Sequence, residues 1–115
     1  MEVARNNLPN VPFLKKVRKL CNKNKIILIF DECTSGFRTN LGGMHLKTGV
    51  NPDILLLGKA LGNGYAINAI LGKKDIMKKA SQSFISSTFW TERIGFVAAL
   101  ATLDEMKKIK PWNKI

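Results

Sequence analysis

Two acidic side chains follow directly on an apolar run early in the chain. The stretch IILIFDECTSGFR, residues 26–38, ends its apolar run at Asp31 and Glu32. An uninterrupted run of this kind predicts a strand buried on both faces, as in a parallel sheet. Ligands of such sheets bind beyond the carboxyl ends of the strands, where Asp31 lies. A carboxylate there can hold a cation, orient a nucleophile or act as a base, or it can simply cap the next turn or pair with a lysine.

Lys59 is the second residue whose surroundings favour chemistry. It ends a second apolar run, DILLLGK at residues 53–59, and lies between Gly58 and the turn LGNG. An amine surrounded by apolar groups is favoured in its neutral, nucleophilic form and can then form a Schiff base. The chain has 19 Lys and Arg residues, and nearly all are expected to be solvated surface. Lys59 differs because glycines and a buried strand flank it.

Asp31 and Lys59 together predict one cofactor, pyridoxal phosphate. This cofactor needs a lysine for its aldehyde and a carboxylate for its ring nitrogen, because the protonated ring is the electron sink that stabilises a carbanion. Each of the two residues would come from the end of a different neighbouring strand. The cofactor also needs a phosphate anchor. The segment SSTFW, residues 86–90, offers hydroxyl groups and backbone amides just before a predicted helix.

Two other kinds of site share some of these sequence features. A strand that ends in Asp-Glu also resembles the magnesium-binding strand of P-loop ATPases, which need the phosphate loop G-x-x-x-x-G-K followed by Ser or Thr. Neither Gly-Lys pair, at Gly58 or at Gly72, has the leading glycine or the hydroxyl residue in place. His45 has no His or Cys partner at metal-binding spacing and is interpreted as an ordinary loop histidine, so no metal site is predicted.

The elements that must position these residues alternate between helix and strand patterns. The spacing of apolar residues predicts helices over residues 12–23, 73–80 and 92–108, and strands over residues 25–30, 54–57 and 67–71, with a further strand possible over residues 84–90. The polar, glycine-containing stretch between residues 32 and 50 is predicted as a loop. This alternation indicates an α/β layer structure with a mostly parallel sheet and flanking helices.

Composition limits the class of protein. A chain of 115 residues with 45% hydrophobic residues is typical of one globular domain. No apolar run reaches the roughly 18 to 20 residues that cross a bilayer, and the N-terminal residues have no apolar signal core. Cys21 and Cys33 have neither disulfide nor zinc spacing, in agreement with a reducing compartment. We therefore expect a soluble, cytoplasmic protein without a membrane partner.

The net charge of +11 raises the alternative of a nucleic-acid-binding module. The basic residues between positions 15 and 23, however, alternate with apolar residues at helical spacing, which predicts the solvated face of an amphipathic helix. No helix-turn-helix, zinc-finger or RNA-binding motif accompanies the charge. Nucleic acid is therefore not expected as a partner, and this alternative is the least favoured.

Three motifs carry a resemblance to a known family. They are FDECTSGFR, NPDILLLGKALGNGYAINAILGKKDIM and SSTFWTERIGFVAALATLDEM. These segments resemble the class III pyridoxal-phosphate-dependent aminotransferases of fold type I. The similarity is greatest to the branch that contains glutamate-1-semialdehyde 2,1-aminomutase and related aminotransferases of sugar and polysaccharide pathways. It spans nearly the whole chain, with the motifs in the order and at the spacing of the family.

The resemblance implies a role for four residues. Lys59 would form the internal aldimine with the cofactor, and Asp31 would hold the pyridinium nitrogen. Cys33 occupies the position of an apolar residue, usually valine, that packs against the cofactor ring. Thr88 corresponds to a threonine that reaches the cofactor phosphate of the neighbouring subunit, so the parent enzyme is expected to be a homodimer with shared sites. The motif positions expected to shape the loop after the first strand are Glu32, Gly36 and Arg38.

The chain also differs from the family pattern. Family members are several hundred residues long, and the upstream phosphate loop, the aromatic residue that stacks on the ring and the C-terminal small domain have no counterpart here. Residues 1–115 are therefore expected to be part of the cofactor-binding large domain, with an open site that leaves Lys59 solvated and strand edges that favour association.

The expected reaction is amino-group transfer through a Schiff base at Lys59, between a small-molecule amino donor and an acceptor. An aminotransferase gives the amino group to a second substrate, whereas an aminomutase returns it to a neighbouring carbon of the first, and the residues present fit both. The alternative is a catalytically inactive truncated remnant. Neighbouring reading frames that carry the missing segments would favour a split enzyme over a remnant.

Overall fold

The fold is described from a computed structural model, which covers residues 8–90 and 92–114. Its helices and strands are α1 (Val11–Lys23), β1 (Ile29–Asp31), α2 (His45–Thr48), β2 (Ile54–Leu57), β3 (Ala69–Gly72), α3 (Lys74–Met77) and α4 (Arg93–Ile109). The described strands form one sheet in the order β1-β2-β3. β1 runs parallel to β2, and β3 runs antiparallel to it. The architecture is α/β, as predicted, with a small mixed sheet.

The first predicted helix is confirmed as α1. It begins after Asn10 because the side-chain oxygen of this residue accepts a hydrogen bond of 3.0 Å from the backbone N–H of Phe13. Pro12 lies in the first turn, where its missing N–H costs no helical hydrogen bond. Cys21 is buried, whereas the solvent-facing side carries the exposed basic residues Lys15, Lys16 and Lys19. The positive charge of this segment is therefore that of an amphipathic helix.

The first strand is shorter and more exposed than predicted. The sheet includes only Ile29–Asp31 of the apolar run, and Ile26, Ile27 and Ile29 are 54%, 52% and 52% exposed. Phe30, by contrast, belongs to the core. The prediction of a strand buried on both faces was wrong for this chain, because the described residues place no layer over the second face of β1. This strand is an edge strand whose neighbour in the described sheet is β2.

The possible strand over residues 84–90 was also wrong. These residues are all exposed, and they lead through a turn at residues 88–90 towards α4. A strand needs a neighbour to satisfy its backbone, and the described part of the chain places none beside this segment. The third predicted strand forms as Ala69–Gly72, two residues later than expected at its start. The predicted helix over residues 73–80 is reduced to the single turn of α3.

The core lies against β2. The side chains of Leu55 and Leu57 are buried and alternate with partly exposed neighbours along the strand. The buried cluster consists of Phe30, Phe37, Val50, Leu55, Leu57, Leu61 and Ala99. α4 approaches the chain after β2 closely at Gly95, where an added Cβ would lie 3.4 Å from the Cβ of Ile67. No helix in the described ranges is both long enough and apolar enough to cross a membrane.

A buried carboxylate connects the elements that lead into the sheet. Asp53, just before β2, accepts a hydrogen bond of 2.8 Å from the backbone N–H of Leu28 and forms ion pairs with Arg18 of α1 at 2.7 Å and with Lys73 after β3 at 2.6 Å. Burial by itself would raise the pKa of this carboxyl group. The Leu28 amide, Lys73 and Arg18 outweigh the burial and hold the pKa of Asp53 well below its ordinary value.

We expect Asp53→Asn to lower the free energy of unfolding by about 3 kcal/mol, because it leaves the Arg18 guanidinium, which is largely buried, without its anion. The pKa of Asp53 is lowered on folding, so its stabilisation is complete above the ordinary carboxyl value of 3.8 and is lost as the pH falls below it. Urea denaturation between pH 2 and 7 should show a smaller loss of stability in acid for the variant. The control Asp104→Asn removes an exposed ion pair and should change stability by less than about 0.5 kcal/mol. A variant with the stability and acid sensitivity of the wild type would contradict this role.

Candidate active site

Asp31 and Lys59 lie at the same edge of the sheet. β1 and β2 are parallel, so their carboxyl ends meet, and Asp31 is in register with Leu56. Lys59 follows β2 after a single intervening residue, Gly58. Residues that follow adjacent parallel strands are the usual source of ligand contacts in α/β proteins. The sequence prediction that each residue comes from the end of a neighbouring strand agrees with this topology.

The carboxylate of Asp31 is fixed by the turn that follows β1. Its Oδ1 atom accepts a hydrogen bond of 3.0 Å from the backbone N–H of Cys33. The capping role that the sequence left open is therefore present. It is compatible with ligand binding, because an ionised carboxylate accepts several hydrogen bonds at once. The side chain is partly buried, and it is held at the strand end before any ligand arrives.

Cys33 lies beside the backbone that leads into Lys59. A Cβ built on Gly58 would lie 3.4 Å from the Sγ atom of Cys33 and would overlap the side chain of Asn68. A side chain at position 58 would therefore have to displace the side chain of Asn68 at the approach to β3. The structure thus brings together three of the four predicted site residues, Asp31, Cys33 and Lys59.

Lys59 has an unusual backbone conformation and a specific contact for its amine. Its φ angle is 43°, in the left-handed region that disfavours residues with a side chain. Such conformations cost roughly 1 to 3 kcal/mol and concentrate at functional sites. The Nζ atom donates a hydrogen bond of 2.6 Å to Oγ1 of Thr34. Lys59 as a whole is exposed, as expected for an open site, so the described residues do not form the apolar pocket that its sequence context suggested.

An open depression of about 620 Å³ lies beside Lys59. Its volume is in the range of small-molecule sites. Its lining residues are Arg38, Lys59, Ala60, Asn63, Gly64, Tyr65 and Ala66. The hydroxyl group of Tyr65 donates a hydrogen bond of 2.5 Å to Glu92, and this bond, together with partial desolvation and the charge of Glu92, raises the pKa of Tyr65. The phenol therefore stays protonated at neutral pH and is a hydrogen-bond donor, not a base.

The loop between β1 and β2 is organised by Glu32, whose side chain is completely buried. Its carboxylate accepts hydrogen bonds from the backbone N–H groups of Met44 and His45, the latter at 3.0 Å, and from the Ser35 hydroxyl at 3.1 Å. The Nδ1 atom of His45 lies 3.1 Å from the same carboxylate. The structural role expected for Glu32 is therefore present, and His45 is a partner of this buried acid, which the interpretation as an ordinary loop residue missed.

Thr88 is not part of this group. It lies in the exposed turn at residues 88–90, and its hydroxyl forms no hydrogen bond with any residue in the described ranges. Within those ranges no three His, Cys, Asp or Glu side chains are placed together so that they could hold a metal ion. Sequence reasoning also missed two contacts, that of Thr34 with Lys59 and that of Tyr65 with Glu92. Both join residues of loops, for which hydrophobic periodicity gives no signal.

The sequence profile of the family Aminotransferase class-III matches residues 6–114. The chain belongs to this family. A glutamate-1-semialdehyde 2,1-aminomutase of Bdellovibrio bacteriovorus is 43% identical over 104 residues, which cover 88% of this chain and 24% of that protein. A 3-aminobutyryl-CoA aminotransferase of Cloacimonas acidaminovorans is 43% identical over 106 residues, which cover 91% of this chain and 26% of that protein. This class III chain therefore spans about a quarter of the length of the curated relatives that it matches.

Parts of two solved structures have the same fold as this chain. The FumI protein of Sphingopyxis sp. MTA144, in its PLP internal aldimine form, matches with a TM-score of 0.82 and 30% identity over 91% of this chain and 25% of that chain. The ornithine aminotransferase of Toxoplasma gondii, which holds PLP at partial occupancy, matches with a TM-score of 0.79 and 33% identity over 90% of this chain and 25% of that chain. The predicted fold, part of a fold type I transferase, is confirmed. Pyridoxal phosphate is the cofactor of class III aminotransferases.

We expect Glu32→Gln to loosen the loop between β1 and β2. The variant replaces one carboxylate oxygen by an NH2 group, which cannot accept the hydrogen bonds that this oxygen receives, and a buried donor left without a partner costs about 1 to 3 kcal/mol. Hydrogen exchange followed by NMR should show the amide protons of Met44 and His45 exchanging at least about fivefold faster. The control Glu105→Gln, at an exposed ion pair of α4, should leave both rates unchanged. Unchanged exchange in Glu32→Gln would contradict this role.

Proposed function

We propose that this chain supplies the cofactor lysine and the ring-nitrogen carboxylate of a pyridoxal-phosphate-dependent enzyme that transfers amino groups between small molecules. The observation that carries the proposal is the position of Asp31 and Lys59 at the adjoining carboxyl ends of two parallel strands. Chemistry of this kind is supported by membership of the class III family.

The residues present fit the chemical demands of the cofactor. The aldehyde needs a primary amine, and the amine of Lys59 lies beside an open depression large enough for a small molecule. The ring nitrogen needs a carboxylate, and Asp31 offers one that is fixed at the end of β1. The ring needs a surface to pack on, and the Sγ atom of Cys33 lies beside Gly58, the residue before Lys59. In this assignment Thr88 contacts the cofactor phosphate of a neighbouring subunit, which agrees with its exposure.

When it is bound, pyridoxal phosphate supplies an electron sink for negative charge that develops on the carbon next to the amino group. Lys59 holds the cofactor covalently through its aldehyde, and when its amine is released it moves a proton between carbon centres as general base and general acid. Asp31 keeps the ring nitrogen protonated, since an adjacent negative charge favours the charged form of the ring. Cys33 fixes the plane of the ring by packing. Both an aminotransferase and an aminomutase need these four actions.

The complete activity belongs to a larger assembly than these residues provide. We propose that residues 1–115 are part of the large domain, and that the phosphate loop, the stacking aromatic residue and the small domain come from the remaining three quarters of the family fold. We propose a cytoplasmic homodimer with shared sites as the working form. Nucleic acid is not a proposed partner, since the basic residues of α1 form the solvated face of an amphipathic helix.

We expect pyridoxal phosphate, followed by borohydride reduction, to label Lys59 selectively and close to one equivalent per chain. Peptide mass spectrometry locates the modified lysine. Lys59→Ala should abolish the labelling, whereas Lys79→Ala, at an exposed lysine outside the site, should keep it. Labelling that is scattered over many lysines and unchanged in Lys59→Ala would refute cofactor selection by this chain and would favour the inactive remnant.

We expect Asp31→Asn to weaken cofactor binding without destabilising the fold. Asparagine keeps an Oδ1 atom that can accept the hydrogen bond from the Cys33 amide, so the turn is retained, while the negative charge is lost and the second carboxylate oxygen becomes an NH2 group. A charge-assisted hydrogen bond to the ring nitrogen is worth about 1.5 to 3 kcal/mol, so the dissociation constant should rise by roughly 10- to 100-fold. Absorbance titration measures the binding, and urea denaturation measures the stability. An unchanged dissociation constant would exclude Asp31 as the partner of the ring nitrogen.

A further inference from the structure

We propose that Thr34 is a positioning residue for Lys59, with its hydroxyl oxygen holding the amine at the carboxyl edge of the sheet. The observation that supports this proposal is the hydrogen bond of 2.6 Å from Nζ of Lys59 to Oγ1 of Thr34. The inference rests on the proposed function, because the group that Thr34 orients is the amine that would bind the cofactor.

The backbone of Thr34 is fixed on both sides. Before it, the N–H of Cys33 donates to the Asp31 carboxylate, which closes the turn after β1. After it, the Nε atom of Arg38 donates a hydrogen bond of 2.5 Å to the backbone oxygen of Thr34. The hydroxyl therefore projects from a backbone that a strand end and a guanidinium both hold. Arg38 also lines the depression beside Lys59, which places its contact within the same site.

The loop that carries Thr34 has little freedom to shift. The N–H of Gly36 donates a hydrogen bond of 2.7 Å to the backbone oxygen of Glu32. A Cβ built on Gly36 would lie 2.7 Å from Cδ2 of Leu57, the last residue of β2, so the loop is packed directly on the strand that precedes Lys59. Thr34, on this loop, and Lys59, just after β2, are therefore held next to each other.

A hydrogen bond at the amine reduces the entropic cost of fixing the Lys59 side chain. The lysine side chain has four rotatable bonds, and a free amine samples many rotamers at an entropic cost of up to about 2 kcal/mol when it is later fixed. The backbone of Lys59 adopts a left-handed φ angle of 43° directly after Gly58. A hydrogen bond at Nζ fixes the other end of the side chain. The amine is then oriented before the aldehyde arrives.

A hydroxyl group suits this position better than a second carboxylate. A hydroxyl oxygen accepts a hydrogen bond from an ammonium and from a neutral amine alike, and it carries no charge that would hold the nitrogen in its protonated form. The amine must be neutral to attack the aldehyde and must later move a proton. Thr34 can keep its contact with Nζ in both protonation states. The Thr34 hydroxyl therefore orients the Lys59 amine without adding a charge beside it.

Two variants test the role of the Thr34 hydroxyl separately from the shape of the side chain. Thr34→Val keeps the branched shape and the backbone oxygen that Arg38 contacts, and it removes only Oγ1. Thr34→Ser keeps the hydroxyl and removes a methyl group. NMR of lysine side-chain nitrogens measures how fast the Nζ protons exchange with water, without any cofactor. In the wild type and in Thr34→Ser, the protons of Lys59 should exchange at least about threefold more slowly than those of the exposed Lys79, and Thr34→Val should clearly reduce the difference.

Borohydride trapping with pyridoxal phosphate provides the second readout. The initial rate of labelling at Lys59 should fall about five- to tenfold in Thr34→Val, as expected for the loss of one hydrogen bond, and should stay within about twofold in Thr34→Ser. Equal proton exchange in the wild type and in Thr34→Val, or a serine variant that behaves like valine, would overturn the assignment. If the wild type shows no selective trapping at Lys59, the proposed function fails, while the proton exchange still decides whether Thr34 holds the amine.

Discussion

The burial of one carboxylate, that of Glu32, is the constraint on which the site depends. A buried charge without partners is strongly destabilising, so the chain must bring donors to it from the far end of the loop. It does so with two consecutive backbone amides at Met44 and His45, and with the imidazole of His45. The loop is thereby folded back onto β1, and the residues after the strand, Cys33 and Thr34, acquire fixed places next to Lys59.

A second buried acid has the corresponding role at the opposite end of the strands. Asp53 joins α1, the approach to β1 and the residue after β3 through one carboxylate. Glu32 lies at the carboxyl end of β1, and Asp53 lies at the amino end of β2. The strands that carry the site are therefore held at both ends by charge-assisted hydrogen bonds. This arrangement matters in a chain in which Ile26 and Ile27, before β1, and Ile29, within it, contribute little burial.

The sequence predicted those features that have a local signal. Apolar spacing located α1, and the short apolar run before Gly58 located β2. The motif resemblance identified the family and its cofactor. The predictions that were wrong concern features that depend on neighbouring elements. The length and burial of β1 depend on which layer covers its second face, and residues 84–90 form no strand because no neighbour lies beside them in the described chain. Likewise, the contact between Thr34 and Lys59 joins two loops, whose meeting depends on tertiary packing and not on periodicity.

The left-handed backbone of Lys59 sets folding preference against chemistry at one position. Asparagine and glycine adopt this conformation more readily than lysine, so in terms of stability alone the fold would favour either of them there. The lysine costs some folding stability, and it places a primary amine at the edge of the sheet where Asp31 lies. The backbone at this residue is therefore a compromise between folding and chemistry.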